Sequence, residues 1–217
     1  MKKKYQLITP SILAIISLTA FSFMAFSISG SKLIRFDNIA IAYIQGFESL
    51  YLTSVMKFFT LIGSAPVIVI LSLIFLFLIR KFLDDRSELT LYIAVTSGSA
   101  VLNQLLKLIF QRARPDLHRL IEIGGYSFPS GHAMNAMSVY GISTFLLLRH
   151  IPSKSGRRIL IMFSVFMICI IGISRIYLGV HYPSDIIGGY LAGGLWLGFT
   201  IWLFQRLKGK MVNADGG

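Results

Sequence analysis

This chain of 217 residues has little charge: only 14% of its residues are Asp, Glu, Lys or Arg, and only nine are acidic. A soluble domain normally carries about a quarter charged residues. Hydrophobic residues make up 55% of the chain, and its mean hydropathy is +0.72. This composition excludes an ordinary soluble protein and predicts a single integral membrane domain over residues 1–217.

Cysteine is nearly absent, since Cys169 is the single thiol. A framework of internal disulfides is therefore excluded, and cysteine usage does not indicate a redox compartment. Basic residues outnumber acidic ones and give a net charge of +12. They are scattered between apolar segments, so we interpret them as charges flanking a membrane and expect no nucleic-acid partner.

Long apolar runs predict an all-α bundle of transmembrane helices, each needing about 20 mostly apolar residues. The six candidate spans are residues 7–29, 60–79, 89–110, 131–149, 158–178 and 184–204. The first run is longer than the roughly 7–15 apolar residues of a signal peptide, so we expect it to be retained. Between spans one and two, aromatic residues mixed with charges over 36–59 favour an interfacial helix, with an ordinary loop as the alternative.

Lysine and arginine are distributed unevenly between the two sides of such a bundle. Thirteen of the 21 share a side with both termini, which we therefore expect in the cytoplasm. The other eight are Lys32, Arg35, Lys57, Lys107, Arg112, Arg114, Arg119 and Arg175. Four of these lie within 107–119 and a fifth closes the fifth span, so this outer side holds more positive charge than topology needs.

The first candidate site segment is KLIFQRARP, residues 107–115. Lys107 and Arg114 are two helical turns apart, so they would share one face if the third span continued this far. Pro115 disfavours a helical conformation at Arg114 and helps to end the helix. Alone, the pair could equally be a lysine that snorkels to the headgroups and a topology charge.

The second segment is PSGH, residues 129–132, at the mouth of an apolar run. Ser130 suits the N-cap position, and Gly131 permits close backbone approach. The first N–H groups of a helix lack partners within it and form a ready anion site. The alternative is an ordinary capped helix with an interfacial His132.

The third segment is SRIYLGVHYPSD, residues 174–185. Pro183 suits the first position of the sixth span, and Asp185 then falls in its first turn. Asp185 follows His181 by four residues, close enough to accept a hydrogen bond from one ring nitrogen. The other nitrogen would then serve as a base or nucleophile. Alternatively, Asp185 only caps its helix and His181 is a loop residue.

Together these segments would gather cations, histidines, a carboxylate and a helix N-terminus on one side of the membrane. That combination predicts a site for a phosphate ester, because phosphoryl transfer depends mainly on positioning and electrostatic stabilisation. An anion channel or transporter could use the same cations, but it would not need the His181–Asp185 pair.

The spacing within all three segments resembles the signature of the type 2 phosphatidic acid phosphatase family, and the similarity extends over nearly the whole chain. Within that family, the small bacterial phosphatidylglycerophosphatase B proteins are the most similar. The resemblance implies that His181 is a nucleophile forming a phosphohistidine, that Asp185 orients it, and that His132 is the general acid. It also implies a phosphate-binding set consisting of Lys107, Arg114, Ser130, Gly131 and Arg175.

The same resemblance implies a membrane lipid phosphate as substrate and no cofactor or metal. The outer-side carboxylates Asp116, Glu122 and Asp185 are also too scattered in the sequence to predict a Mg²⁺ site. We expect hydrolysis of phosphatidylglycerophosphate at the outer face of the cell membrane, with undecaprenyl diphosphate as the alternative substrate. Vanadium-dependent haloperoxidases have a similar site, but they are soluble proteins.

Overall fold

The computed structural model describes residues 2–30, 32–82, 86–116 and 118–214, with the side chains of 2–8, 29, 82 and 210–214 left out of the description. All regular structure in this part of the chain is helical, as the sequence predicts. The helices are α1 Lys2–Ser29, α2 Ile34–Gln45, α3 Leu50–Ile62, α4 Ala65–Phe82, α5 Arg86–Phe110, α6 Gly131–Leu147, α7 Lys154–Tyr177 and α8 Pro183–Ala214. The charges of Lys2, Lys3, Lys4 and Lys210, used in the orientation prediction, lie outside the described side chains.

Membrane-crossing length is found in four described segments, which are Thr9–Ile28, Arg86–Phe110, Lys154–Tyr177 and Pro183–Gly209. The segments of α3 and α4 qualify only as a pair, and they meet at a bend of 55°. The fourth predicted span, 131–149, corresponds to α6, which has 17 residues. At a rise of 1.5 Å per residue it is about 26 Å long, shorter than the roughly 30 Å hydrocarbon core. The six-span prediction is therefore not confirmed: the described residues support four spans, or five with the bent pair.

Helix α6 lies inside the bundle, where it packs against α5, α7 and α8. A Cβ atom on Gly189 of α8 would lie only 2.7 Å from the Ser130 carbonyl oxygen, so glycine lets α8 approach the start of α6 closely. Large apolar side chains instead cover the outer surfaces of α1, α4 and α7, where Phe23, Phe77 and Met162 are exposed. Apolar residues on the outside and small residues at the helix contacts are typical of a bundle solvated by lipid.

Two helices, α2 and α3, occupy the segment for which the sequence predicts one interfacial helix. Helix α2 ends at Gln45, with Gly46 as its C-cap. Ser49 is the N-cap of α3, and its hydroxyl accepts a hydrogen bond from the Leu52 N–H at 3.2 Å. Both helices pack on α7. Their depth relative to the membrane stays a prediction, but this packing brings them against the end of the bundle that carries the predicted motifs.

The described residues between α5 and α6 form no helix, and backbone hydrogen bonds hold this connection in place. The Ser127 N–H donates to the Arg112 carbonyl at 2.8 Å. The Ser130 N–H donates to the Asp185 carbonyl at 3.0 Å. The second bond ties the start of α6 directly to the start of α8, and so joins two of the predicted motifs.

Candidate active site

The predicted segments meet at one end of the bundle, because α5 and α7 end where α6 and α8 begin. Lys107 and Arg175 lie in the last turns of α5 and α7, and Asp185 lies in the first turn of α8. Lys107 is within electrostatic range of Arg114, Arg175 and Asp185. The chain therefore brings the predicted cations, His181 and the carboxylate into one cluster.

His181 sits in the tight turn between α7 and α8 with only 1% of its surface exposed. The turn passes through Gly179 at φ +72°, a left-handed conformation that favours glycine. A Cβ atom there would also fall 1.8 Å from the His118 carbonyl oxygen. Glycine is therefore needed at position 179 for two reasons, its positive φ and the close approach of the neighbouring loop.

The carboxylate of Asp185 is fully buried and faces the His181 ring. Its Oδ2 lies 3.3 Å from His181 Nδ1 and accepts a hydrogen bond from the Tyr182 N–H at 2.9 Å. The Ser127 hydroxyl donates to the same oxygen. These donors satisfy the carboxylate and fix its orientation toward the imidazole.

The other ring nitrogen, His181 Nε2, lies 3.1 Å from Arg114 Nη1. A guanidinium can only donate, so Nε2 must accept, and Nδ1 then carries the proton that points toward Asp185. Burial lowers the pKa of His181 to about 4, against the opposing effect of Asp185. The imidazole is therefore neutral at pH 7 with its lone pair on Nε2, and it loses that lone pair only as the pH falls toward 4.

Arg114 reaches the site through the loop and not through the helix. Helix α5 ends at Phe110, and Gln111 has a φ of +44°. The condition under which Lys107 and Arg114 would share one helical face is therefore not met, although the two groups still interact electrostatically. Arg114 is held by four backbone carbonyl acceptors, on Gly124, Gly125, Tyr126 and Val180.

Arg175 is the buried cation with unused donors. Only 2% of its surface is exposed, and its Nη1 donates to the Thr60 hydroxyl of α3. Its Nε and Nη2 have no hydrogen-bond partner among the described residues. Buried guanidinium N–H groups without acceptors are costly, so this geometry favours a bound anion with forked oxygen atoms.

The start of α6 supplies further donors. Ser130 is the N-cap, and its hydroxyl accepts from the Ala133 N–H at 3.5 Å. Gly131 and His132 follow as the first two helical residues, whose N–H groups have no acceptor within the helix. Asn103 of α5 supports this turn by donating to the Pro129 carbonyl at 3.2 Å.

Several contributors to this cluster are absent from the sequence prediction. They are Asp37, Thr60, Arg112, Ser127 and Ser184. Arg112 was counted only as an outer-side charge and Asp37 only as a polar residue of the interfacial segment. Ser184 lies within the third predicted segment and Ser127 lies two residues before the second, which is a usable signal, whereas nothing local marks Asp37 or Thr60.

No group of three His, Cys, Asp or Glu side chains within the described ranges is close enough to hold a metal ion. The cluster combines four cations, the three predicted ones and Arg112, with a helix N-terminus and a neutral imidazole oriented by a carboxylate. Chemically, it can bind a phosphate dianion and present a nitrogen lone pair to it.

Comparison with known proteins gives a consistent family assignment. The family model of the PAP2 superfamily matches residues 88–208. Phosphatidylglycerophosphatase B of Bacillus subtilis (strain 168) is 36% identical over 165 residues, which cover 73% of this chain and 75% of that protein. Undecaprenyl-diphosphatase BcrC of the same strain is 33% identical over 129 residues, covering 57% of this chain and 61% of that protein.

A solved structure matches most of the chain. The crystal structure of a transmembrane PAP2-type phosphatidylglycerolphosphate phosphatase from Bacillus subtilis aligns with a TM-score of 0.78 and 29% sequence identity. The alignment covers 91% of this chain and 96% of that chain. It therefore includes α2 or α3 at least in part, beyond the residues that the family model matches.

Proposed function

The chain belongs to the PAP2 superfamily and is a multi-pass membrane lipid phosphatase, and from that premise we propose that it hydrolyses phosphatidylglycerophosphate to phosphatidylglycerol and phosphate. The matching Bacillus subtilis phosphatase supports this substrate. Undecaprenyl diphosphate is the second candidate, supported by the similarity to BcrC. A pure anion channel is disfavoured, because conduction would not need a buried His181 whose protonation is fixed by Asp185.

The observation that carries the proposal is the orientation of His181. Its Nδ1 faces the Asp185 carboxylate at 3.3 Å, and its Nε2 accepts from Arg114. Arg175 lies within electrostatic range of the ring, and its Nε and Nη2 have no hydrogen-bond partner among the described residues. A phosphate bound by those cations would place its phosphorus next to the Nε2 lone pair. This is the arrangement of an activated nucleophile with an orienting third group.

In the first step, His181 Nε2 attacks phosphorus and the bond from phosphorus to the lipid oxygen breaks. A P–N bond forms, and His132 donates a proton to the departing alkoxide, so that the lipid alcohol leaves neutral. Asp185 stabilises the positive charge that develops on the imidazole of His181. Arg175, Arg114 and Lys107 stabilise the negative charge on the phosphoryl oxygens.

In the second step, water attacks the phosphohistidine. His132, now neutral, takes a proton from the water as the P–N bond breaks. Phosphate leaves, and His181 returns to the neutral form with its proton on Nδ1. Atoms and protons balance over the cycle, since one ester and one water give one alcohol and one phosphate.

Phosphate release from purified protein in detergent tests both the substrate and the absence of a metal requirement. With excess EDTA present, we expect the highest kcat/KM for phosphatidylglycerophosphate within a panel that includes undecaprenyl diphosphate and phosphatidic acid. Vanadate should inhibit, because it adopts the geometry that the phosphoryl group has in the transition state. A preference for undecaprenyl diphosphate would select the second candidate, and activity lost in EDTA but restored by Mg²⁺ would contradict the metal-free site.

We also propose that both termini face the cytoplasm and that the active site faces outward. A cysteine at Gly124, where a side chain would meet nothing within 4 Å, should react in intact cells with an impermeant thiol reagent. A cysteine at the exposed Ser155 should react only after lysis. Both variants are made in a Cys169→Ser background, and the opposite labelling pattern would place the chemistry on the cytoplasmic side.

Access from the bilayer is supported by a cavity of about 230 Å³ between α4, α5 and α6. Asn135, one turn below His132, lines it, and so do Val69 and Leu73, which are 56% and 61% exposed on the lipid-facing surface. We therefore propose that an acyl chain enters sideways here while the phosphate meets the cations.

Lateral access predicts a strong dependence on the lipid chain, since each buried CH₂ contributes about 0.8 kcal/mol. Glycerol phosphate should have a much lower kcat/KM than the lipid ester. Ala100→Phe, which fills the cavity, should raise KM for the lipid and leave the soluble ester unaffected. Val101→Phe, on the exposed neighbouring position, is the matched control. Equal kcat/KM for soluble and lipid esters would show that the site is reached from water.

A further inference from the structure

A buried carboxylate outside the predicted motifs, Asp37 of α2, is part of the active-site cluster. Its side chain is 0% exposed. Oδ1 accepts from the Ser184 N–H at 2.9 Å, and Oδ2 accepts from the Ser184 hydroxyl at 2.6 Å. Asp37 lies outside residues 88–208, the part of the chain that the family model matches.

Arg112 joins this carboxylate to the one that faces His181. Its Nη2 donates to Asp37 Oδ2 at 2.7 Å, and its Nη1 donates to Asp185 Oδ1 at 2.6 Å. The guanidinium also lies over the Tyr182 ring, with its carbon 4.1 Å from the ring centroid. Arg112 is therefore fixed from three sides, and one cation is shared between two buried carboxylates.

Sharing the cation has a chemical consequence for Asp185. A guanidinium paired with Asp185 alone would neutralise that carboxylate, whereas here Asp37 takes part of the interaction. Asp37 also fixes Ser184, the residue directly before Asp185, through both its N–H and its hydroxyl. The second carboxylate thus sets both the position of the α8 N-terminus and the charge left on Asp185 for the imidazole.

We infer that Asp37 is a positioning residue for the proposed phosphatase reaction, acting on Asp185 through Arg112 and Ser184. The inference rests on the proposed function, because it assigns Asp37 a role in orienting the His181–Asp185 pair. Asp37 touches no reacting atom. Asp37 is one of the two buried carboxylates of the active-site cluster. Helix α2, predicted only as an interfacial segment, is therefore part of the catalytic unit.

The test substitutes Asp37→Asn in the full-length protein. The Asn carbonyl oxygen can still accept from the Ser184 N–H, but its NH₂ group then faces an Arg112 donor. Arg112 should move toward Asp185 alone. We expect kcat on the lipid phosphate to fall about 10–100-fold, the range known for residues that orient metal ligands from the outer shell. KM should stay within about threefold because the phosphate-binding cations are untouched.

Two variants serve as matched controls. Asp116→Asn makes the same chemical change at a carboxylate whose side chain is 96% exposed and should leave kcat unchanged. Glu88→Gln weakens the ion pair between the buried Glu88 and the partly exposed Arg149 at the opposite end of the bundle, and should lower thermal stability without lowering kcat per folded molecule. Together they separate loss of charge and loss of stability from loss of positioning.

A double-mutant cycle tests the route through Arg112. In an Arg112→Gln background, Asp37→Asn should cost less than about threefold in kcat, because the connection through Arg112 is already broken and the new amide oxygen still accepts from the Ser184 N–H. Equal costs in both backgrounds would overturn the inference, as would an unchanged kcat or a loss explained by the unfolded fraction. His181→Ala in the same assay distinguishes the failures. If that variant stays active, the proposed function fails, whereas an inactive His181→Ala beside a fully active Asp37→Asn refutes only the positioning role.

Discussion

Replacing His181 with alanine is expected to lower lipid phosphate hydrolysis by at least about 10⁴-fold, the scale seen when a nucleophile is removed from a cooperating set of groups. The physical reason is that the His181 ring is held between the Asp185 carboxylate and the Arg114 guanidinium, so its removal takes away the oriented lone pair. The measurement is phosphate release in detergent, normalised to folded protein. His118→Ala is the control, because that histidine is exposed and pairs with Glu48 at 2.8 Å.

The covalent intermediate gives the same prediction a second readout. Wild-type protein mixed with ³²P-labelled lipid and quenched in base should retain label on the protein, because a phosphohistidine withstands base and hydrolyses in acid. The His181→Ala protein should retain none. If label persists in that variant, or if its turnover exceeds a few per cent of wild type, His181 is not the nucleophile.

Replacing His132 with alanine should have the second-largest effect, about 10²–10⁴-fold on kcat for a lipid ester, the usual contribution of general acid–base catalysis. The loss in the first step should be much smaller for p-nitrophenyl phosphate, since nitrophenolate leaves without a proton. Water attack in the second step still needs the base. The variant should therefore release about one equivalent of nitrophenol in a burst and then turn over slowly.

Stopped-flow absorbance at the nitrophenolate band measures this burst directly. His150→Ala is the control, because that histidine lies near Glu88 at the opposite end of the bundle. Equal losses on both substrates, with no burst, would contradict a proton-transfer role and leave His132 as a phosphate-binding group only.

The sequence predicted those features that depend on short-range spacing. Asp185 could be paired with His181 because four residues separate them across the start of a helix. Ser130 and Pro183 mark helix starts by their own chemistry. The all-helical membrane class followed from composition, because lipid requires backbone groups to be satisfied within each segment.

Features that depend on the path of the backbone in space were predicted less well from the sequence. Arg114 would share a face with Lys107 only on a continued helix, but α5 ends at Phe110 and the loop positions the side chain instead. The count of six spans assumed that any long apolar run crosses the membrane, whereas α6 is short and enclosed by other helices. Burial by protein and burial by lipid favour the same residues, so hydropathy cannot separate them.

What the sequence determined by itself is the chemical content of the site: a histidine with its carboxylate, three cations and a capped helix start. Only the tertiary structure decided which remote groups complete it. Asp37 and Ser184 are 147 residues apart, and Thr60 and Arg175 are 115 apart. No local pattern encodes such pairs, because they exist only after α2 and α3 have packed on the ends of α7 and α8. The partners that hold the nucleophile's carboxylate and the buried Arg175 are therefore properties of the packed bundle.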